Sequence, residues 1–432
     1  MLKKKNTLFF FLQISLYLFP ISLIVGSLLV NINVIIFIFL AVSYLLLNKL
    51  KIYFNHINLS LLLFFITLIF SSFLNIEEIG INNFIKSIFL LKFFLLYILI
   101  ESLIYHKKIE LNYFFNICLI LIIFLSIDLS IQFFFGKNIF GYKPWEGRIT
   151  GIFEHEAIAG AFLQKIFLFS IIGYLMLFFH KGEKEKNFLS LILILVLFGS
   201  FVASNRISFL IVLSTAIFLI FFYKIFRKNI IVALILLIPT FLFFYQNNDQ
   251  INIKYKSFVN KITQFSNVSS NMKISNEQIK ELNSKDPEKQ KSKKIINNHT
   301  KIYLTTYESF KENIFIGHGL KSFRYRCNKF LKLNNTLCST HSHNYHLELL
   351  HDVGLLGFLL ITFFSFSLII KTVNRLRAEN LSYKEKIILS LLLLNFLIEL
   401  FPLKSTGSLF TTWNGTLLWL SISLVNYKNL KR

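Results

Sequence analysis

The sequence predicts an all-α polytopic membrane protein of about twelve transmembrane helices with one large helical extracytoplasmic loop. Three observations support this prediction. Of the 432 residues, 55% are hydrophobic and only 16% are charged, which is more apolar surface than a soluble domain of this length can bury. The apolar residues form runs long enough to cross a bilayer. Basic residues separate these runs, so the net charge of +24 indicates membrane topology rather than nucleic-acid binding.

Twelve apolar runs are expected to form the transmembrane helices. The first run follows three lysines, as in a signal peptide, but it has no small-residue cleavage site and is expected to be retained. The runs cover approximately residues 8–28, 30–48, 58–74, 84–104, 114–135, 157–179, 188–203, 206–223, 229–245, 346–370, 387–402 and 411–426.

The basic loops between the runs predict the orientation. With twelve spans, the Lys and Arg clusters fall on one side, which the positive-inside rule makes cytoplasmic. Both termini are then cytoplasmic. The predicted regions are 1–245, with nine spans and a short outer loop at 136–156; 246–345, a large periplasmic loop; and 346–432, with three spans and a cytoplasmic tail. No cytoplasmic loop could hold a nucleotide domain, so we expect chemistry on the outer face.

Ionisable side chains inside apolar runs are costly, and such residues are functional candidates. With the predicted topology, all of these candidates except Lys92 fall in the outer half of the membrane or at its outer edge. This clustering predicts a polar cavity that opens outward, and the basic outer loop suits an anionic substrate such as a pyrophosphate. A structural alternative is that Asp128 and Lys165 pair with each other. The candidates are Lys92, Asp128, Glu156, Lys165, Arg206 and Glu399.

Histidines are concentrated where the tenth run begins. Four of the ten histidines lie between His341 and His351. We favour His343 as a general base, because a neutral imidazole can accept a proton from a hydroxyl near pH 7. A zinc site would lack both an HExxH motif and a cysteine partner. A purely structural role for interfacial histidines is the other alternative.

Four local patterns between residues 140 and 370 resemble the bacterial O-antigen ligase and O-antigen polymerase superfamily. Each pattern is weak alone, but their order on this topology is specific. They are Gly147-Arg148-Ile149-Thr150-Gly151, Ser204-Asn205-Arg206-Ile207-Ser208, the amphipathic segment from Tyr307 to Gly317-His318-Gly319, and His343-Asn344-Tyr345-His346-Leu347-Glu348.

The resemblance implies a glycosyltransferase of GT-C-type architecture in lipopolysaccharide biosynthesis. It would move a glycan from undecaprenyl pyrophosphate to a hydroxyl of lipid A–core, at the periplasmic face of the bacterial inner membrane. We expect inverting transfer without a metal or another cofactor. An O-antigen polymerase, with a lipid-linked glycan as acceptor, is the alternative. A transporter or flippase of lipid-linked sugars is a second alternative, although the chain shows no related halves of the kind that many transporters have.

The resemblance and the chemistry together assign roles to residues. His343 and Arg206 are the predicted catalytic residues. Fixed cations in a water-poor cleft stabilise the charge that develops on a departing pyrophosphate, and those predicted to do so are Arg148, Lys301, Arg324 and Arg326. Family members usually carry a second arginine in the large loop, and whether Lys301 or His299 replaces it here stays open. The predicted supporting residues are Glu156, Asn344, His346, Lys165 and Asp128.

The outer loop contains two of the three cysteines, Cys327 and Cys338. A periplasmic location would be oxidising. We therefore predict a disulfide between them, just ahead of His343.

Overall fold

The computed structural model describes residues 2–203, 205–248, 252, 255–256, 298–331, 336–377, 381–402 and 404–427. These residues are mainly α-helical, and the β pairing among them is an isolated bridge between Trp145 and Arg148. The predicted all-α class is therefore confirmed. Much of the predicted large loop at 246–345 lies outside the described residues, so its helical character is seen only in the described parts.

Seventeen α-helices are described in these ranges. In chain order they are α1 (Leu2–Tyr17), α2 (Phe19–Val25), α3 (Ser27–Leu47), α4 (His56–Leu74), α5 (Ile76–Ile79), α6 (Ile81–Phe89), α7 (Leu91–Tyr105), α8 (Asn112–Phe135), α9 (Ala159–Phe178), α10 (Glu183–Val202), α11 (Arg206–Phe222), α12 (Lys224–Asn247), α13 (Asn298–Phe310), α14 (Phe323–Arg326), α15 (Tyr345–Arg377), α16 (Tyr383–Glu399) and α17 (Thr412–Leu424).

A helix lies at each of the twelve predicted spans, but the count of twelve is not confirmed. Seven described helices are long and apolar enough to cross a membrane, and there are eight if the bent pair Asn6–Tyr17 and Phe19–Val25 forms one span. Of the others, α10 contributes only the shorter apolar stretch Asn187–Val202, α16 has 17 residues and α17 has 13. A rise of about 1.5 Å per residue leaves such helices short of a hydrocarbon core of about 30 Å. The seven are Ser27–Leu47, His56–Leu74, Ile81–Tyr105, Asn112–Phe135, Ala159–Phe178, Lys224–Asn247 and Tyr345–Arg377.

The outward faces of the long helices are apolar. Phe39 is 69% exposed and Phe135 is 80% exposed. Helices with apolar outer faces suit a bilayer, because their backbone groups are satisfied internally and their side chains meet lipid. The chain is therefore a multi-pass membrane protein.

Small residues bring α8, α9 and α11 together. A Cβ atom on Gly173 of α9 would lie 2.3 Å from the carbonyl oxygen of Phe115 on α8. At the other end of α9, a Cβ atom on Gly160 would lie 2.7 Å from the Cβ atom of Asn205, just before α11. Glycine at a helix contact lets backbones approach closely. The starts of α9 and α11 are consequently held side by side.

The turn Gly317-His318-Gly319, in the described part of the outer loop, is joined to α15 where that helix breaks. Gly354 has φ 64°, outside the helical range. The amides of His318 and Gly319 each donate a 2.9 Å hydrogen bond, to the carbonyls of His351 and Asp352 respectively. Carbonyls freed by a helix break need such partners inside a membrane protein. The Gly-His-Gly turn thus supplies the donors that the break requires.

Candidate functional site

A cavity of about 820 Å³ lies where the starts of α9, α11, α13 and α17 meet three connecting segments. Four predicted site residues line it: Arg148, Lys165, Arg206 and His343. They come from distant parts of the chain, and the fold brings them together. Three more basic side chains, His299, His341 and Lys404, line the same cavity, and the polar lining includes Gln164, Asn205, Ser208, Thr300, Tyr303, Ser405, Thr406 and Asn414.

Arg148 is held on a short hairpin after α8. The backbone groups of Trp145 and Arg148 exchange hydrogen bonds of 3.0 and 2.8 Å. Between them, Glu146 and Gly147 both have positive φ, at 47° and 69°, as a two-residue type I′ turn requires. The side-chain oxygen of Gln132 accepts hydrogen bonds from the next amides, those of Thr150 and Gly151. The hairpin therefore presents Arg148 from a fixed backbone.

Arg206 is the first residue of α11. The side chain of Asn205 caps the helix by accepting a 3.4 Å hydrogen bond from the amide of Ser208. A helix start carries partial positive charge, which adds to that of the guanidinium. Arg148 and Arg206 are also near enough for their charges to repel each other. An anion between them would relieve this repulsion.

Lys165 pairs with a carboxylate from a distant helix. Its Nζ atom contacts Oε2 of Glu399, and Gln164 donates a 3.1 Å hydrogen bond to Oε1 of the same carboxylate. The alternative that Asp128 pairs with Lys165 is therefore wrong. The carboxylate of Asp128 instead accepts hydrogen bonds from the side chain of Asn138 and the amide of Ile139, at 3.3 and 3.1 Å.

Three imidazole rings form a cluster in the cavity. The ring of His343 lies 4.0 Å from that of His341 and 5.0 Å from that of His299, between centroids. The hydroxyl of Ser339 is 3.2 Å from Nε2 of His343. Burial, together with the two neighbouring rings, lowers the pKa of His343 from 6.5 to about 4. The imidazole of His343 is therefore neutral at pH 7, and the lowered pKa also makes it a weaker base than a solvated imidazole.

The other predicted pyrophosphate ligands are not part of the described lining. Arg326 is buried and pairs with Glu78 and Glu312. Lys301 lies on α13, and Arg324 is exposed on α14. None of the three shares the cavity with His343.

Two of the predicted supporting residues fix the backbone beside the cavity. Asn344 caps α15, and its side-chain amide donates a 2.6 Å hydrogen bond to the carbonyl of Pro402. Nε2 of His346 is 2.8 Å from the carbonyl oxygen of Leu400. Glu156, by contrast, is exposed. Asn344 and His346 thus attach the chain after α16 to the start of α15.

Cys327 and Cys338 form a disulfide with a Cα–Cα distance of 5.2 Å. Cys327 is buried against Ile302 and Phe323. The pair anchors the segment that leads to His341 and His343.

A second polar cluster resembles a catalytic triad but is closed to solvent. The hydroxyl of Ser309 lies 2.9 Å from Nε2 of His351, and Nδ1 of His351 lies 2.9 Å from Oδ1 of Asp352. The three residues are 0–1% exposed, so no substrate can reach this serine. The cluster instead ties α13 to α15 at the helix break.

Lys404 is the main residue of the cavity that sequence reasoning missed. It lies in the connection between α16 and α17, and its Nζ atom is 3.0 Å from Oε1 of Glu399. The available signal in the sequence was that Lys404 follows Glu399, a carboxylate predicted to lie in a span, by five residues. Trp413 also lines the cavity, with its indole N–H bonded to the carbonyl of Leu23 at 3.0 Å.

One comparison with known proteins bears on this site. Residues 188–362 match a protein-family model described as O-antigen ligase, and this range includes Arg206, His299, His341 and His343. No curated protein matches the chain. Members of the matched family are membrane enzymes of glycosyltransferase type. The predicted resemblance to the O-antigen ligase and O-antigen polymerase superfamily is therefore confirmed over residues 188–362.

Proposed function

We propose that the protein is an O-antigen ligase-type glycosyltransferase. It transfers a glycan from undecaprenyl pyrophosphate to a hydroxyl of lipid A–core at the periplasmic face of the inner membrane. The observation that carries the proposal is the shared cavity of Arg148, Arg206 and His343. It combines cations for a phosphate-bearing leaving group with a neutral base for a hydroxyl. The family match over residues 188–362 supports the same reaction class.

The proposed reaction is a single displacement at the anomeric carbon. The acceptor oxygen forms the new glycosidic bond as the bond to the pyrophosphate oxygen breaks, and the configuration inverts. His343 takes the hydroxyl proton, and the pyrophosphate leaves with the electron pair. Arg148 and Arg206 stabilise the charge that develops on that leaving group, which is most effective in a partly buried site. No metal enters this scheme.

The size of the cavity fits one end of a long donor. Ligand sites of about 300–1,000 Å³ are typical for small molecules, and this cavity is about 820 Å³. It can hold a pyrophosphate and the first sugars. The rest of the glycan and the lipid chain would extend away from it, toward the aqueous phase and the bilayer respectively.

The proposed topology keeps twelve spans, with short helices completing the set, in a GT-C-type arrangement. Its regions are 1–245, 246–345 and 346–432, with both termini in the cytoplasm. Support comes from the cavity, because the loops that line it are those that the basic clusters place outside. Arg148, His343 and Lys404 belong to three such loops.

The experiment that tests the proposed function uses a deletion strain. Lipopolysaccharide is resolved on gels, and undecaprenyl-linked glycans are extracted in parallel. Loss of O-chains from lipid A, with long chains accumulating on the carrier, is the expected result. Lipid A–core carrying one repeat unit would instead identify a polymerase. An unchanged profile in both fractions would refute the assignment to O-antigen transfer.

A purified preparation tests the site itself. The wild-type protein in nanodiscs is given a lipid-linked glycan and lipid A–core, and transfer is followed by mass spectrometry. Arg148→Ala and Arg206→Ala are each expected to raise KM for the donor and lower kcat. Lys143→Ala changes an exposed cation of the same outer loop that does not line the cavity, and it serves as the matched control.

A further inference from the structure

One buried carboxylate holds two cavity-lining lysines. Glu399 contacts Nζ of Lys165 through one oxygen and lies 3.0 Å from Nζ of Lys404 through the other. The side chain of Glu399 is 1% exposed, and those of the lysines are 5% and 6% exposed. Two positive charges thus share one negative charge, which leaves the cluster with one net positive charge facing the cavity.

The chain around Lys404 is fixed relative to His343. The amide of Thr406 donates a 2.9 Å hydrogen bond to the carbonyl of His343. The side chain of Asn344 donates to the carbonyl of Pro402. Two hydrogen bonds therefore join the connection that carries Lys404 to His343 and Asn344. These bonds fix the position of Lys404 relative to the proposed base.

Burying a lysine that shares its counterion with a second lysine is energetically unfavourable. Removing an ammonium group from water destabilises the folded state unless a partner charge offsets the lost hydration. In this cluster Glu399 neutralises the charge of one lysine. An anion in the cavity would neutralise the second, so the unbalanced charge is explained if the cavity receives an anionic substrate.

We propose that Lys404 is a substrate-binding residue that contacts the donor pyrophosphate, and that Glu399 is a positioning residue that holds Lys404 and Lys165 at the cavity wall. The identity of the anion rests on the proposed function. The balance of charges in the cavity fits a pyrophosphate. A pyrophosphate linking a lipid and a sugar carries two negative charges, and the departing group gains a third. Arg148 and Arg206 match the first two charges, and the lysine cluster matches the one that develops.

The titration of Lys404 provides the sharpest test. Burial and the neighbouring Lys165 lower its pKa from 10.5 to about 8, while Glu399 opposes that change. Other ionisable groups of the cavity are Arg148 and Arg206, the three imidazoles of His299, His341 and His343, and the phenols of Tyr303 and Tyr345. Lys404 is mainly protonated below about pH 8 and mainly neutral above it. Binding of an anion should therefore weaken as the pH rises through 8.

The experiment measures binding of undecaprenyl pyrophosphate to the full chain in nanodiscs between pH 6.5 and 9.5. For the wild type we expect affinity to fall above pH 8. Lys404→Met should bind about tenfold more weakly at pH 7, as expected for loss of one charge-assisted hydrogen bond, and lose the pH dependence. Lys404→Arg should keep affinity throughout the range. Lys311→Met, an exposed lysine paired with Glu308, is the control and should match the wild type.

Glu399→Gln distinguishes positioning from a general effect on folding. Without the carboxylate, Lys404 loses its supporting charge, so the midpoint of the affinity loss should move below pH 8. A folded Lys404→Met variant with wild-type affinity and pH profile would overturn the proposal. If that variant binds normally while the wild type performs transfer, the proposed function stands and this inference fails. If it loses binding but the wild type transfers to no acceptor, the inference stands and the proposed function fails.

Discussion

The amide of Thr406 donates a 2.9 Å hydrogen bond to the carbonyl of His343. The bond joins the connection between α16 and α17 to the residue proposed as the base. His343 itself has φ 55°, a left-handed conformation that is uncommon for a non-glycine residue and that surrounding contacts must hold. The position of the imidazole therefore depends on the connection that also carries Lys404.

Replacing His343 with alanine should abolish transfer without preventing membrane insertion. A positioned general base contributes about 10²–10⁴-fold to a rate, so kcat should decrease by a factor in that range. The measurement is transfer by purified protein, with donor binding followed separately and expected to persist. His155→Ala removes an exposed histidine and should leave the rate unchanged. Near-normal transfer by the His343 variant would exclude the base assignment.

The pH profile should show an acid limb well below neutrality. His343 must be unprotonated to accept a proton, and its pKa is lowered to about 4. The value of kcat/KM reports groups of the free enzyme, so it should be flat between pH 7 and 5 and fall only below pH 5. An acid limb near pH 6.5 would show that this imidazole titrates as if exposed. Glycan transfer at constant ionic strength provides the profile.

Removing Arg326 should destabilise the protein rather than weaken donor binding. The side chain is buried and holds Glu78 and Glu312. Breaking a buried ion pair by deleting one partner costs about 3–5 kcal/mol, and less here because Glu312 is 44% exposed. Arg326→Met should lower the melting temperature of the detergent-solubilised protein. Protein that stays folded at low temperature should keep the wild-type KM for the donor; a raised KM would instead restore Arg326 as a pyrophosphate ligand.

Acid should weaken the attachment of the Gly-His-Gly turn to α15. His318 is 2% exposed, and burial, with His351 nearby, lowers its pKa from 6.5 to about 4. The unfolded chain therefore binds a proton at higher pH than the folded one. The contribution of neutral His318 to the free energy of unfolding is fully present above pH 6.5. It is lost as the pH falls from 6.5 to 4.

The loss amounts to roughly 3 kcal/mol, since the pKa differs by about 2.5 units between the two states and one unit equals 1.36 kcal/mol. Thermal unfolding at pH 7 and pH 4.5 measures it. His318→Gln should unfold at a lower temperature than wild type at pH 7 but lose less on acidification. An equal acid-induced loss in both proteins would remove His318 as the cause.

Hydropathy predicts the positions of the membrane helices, because each helix must be locally apolar wherever it packs. The sequence also indicates Arg206 and His343, which lie in short recognisable patterns. It could not indicate the partners of the charged residues. Glu399 lies 234 residues from Lys165, and Glu78 lies 248 residues from Arg326. Pairing across such separations is decided by tertiary packing, so Arg326 was predicted to bind substrate and Lys404 was missed.

The cavity has a consequence for the biosynthesis of the chain. Its lining begins at Arg148 and ends at Asn414, so α17 contributes to the same cavity as the hairpin that carries Arg148. Ribosomes deliver these parts in order. A chain that has been synthesised only as far as α15 has both arginines and the three histidines of the lining but lacks Lys404 and Trp413. The lining of the cavity is therefore complete only after the connection between α16 and α17 and the start of α17 have been made.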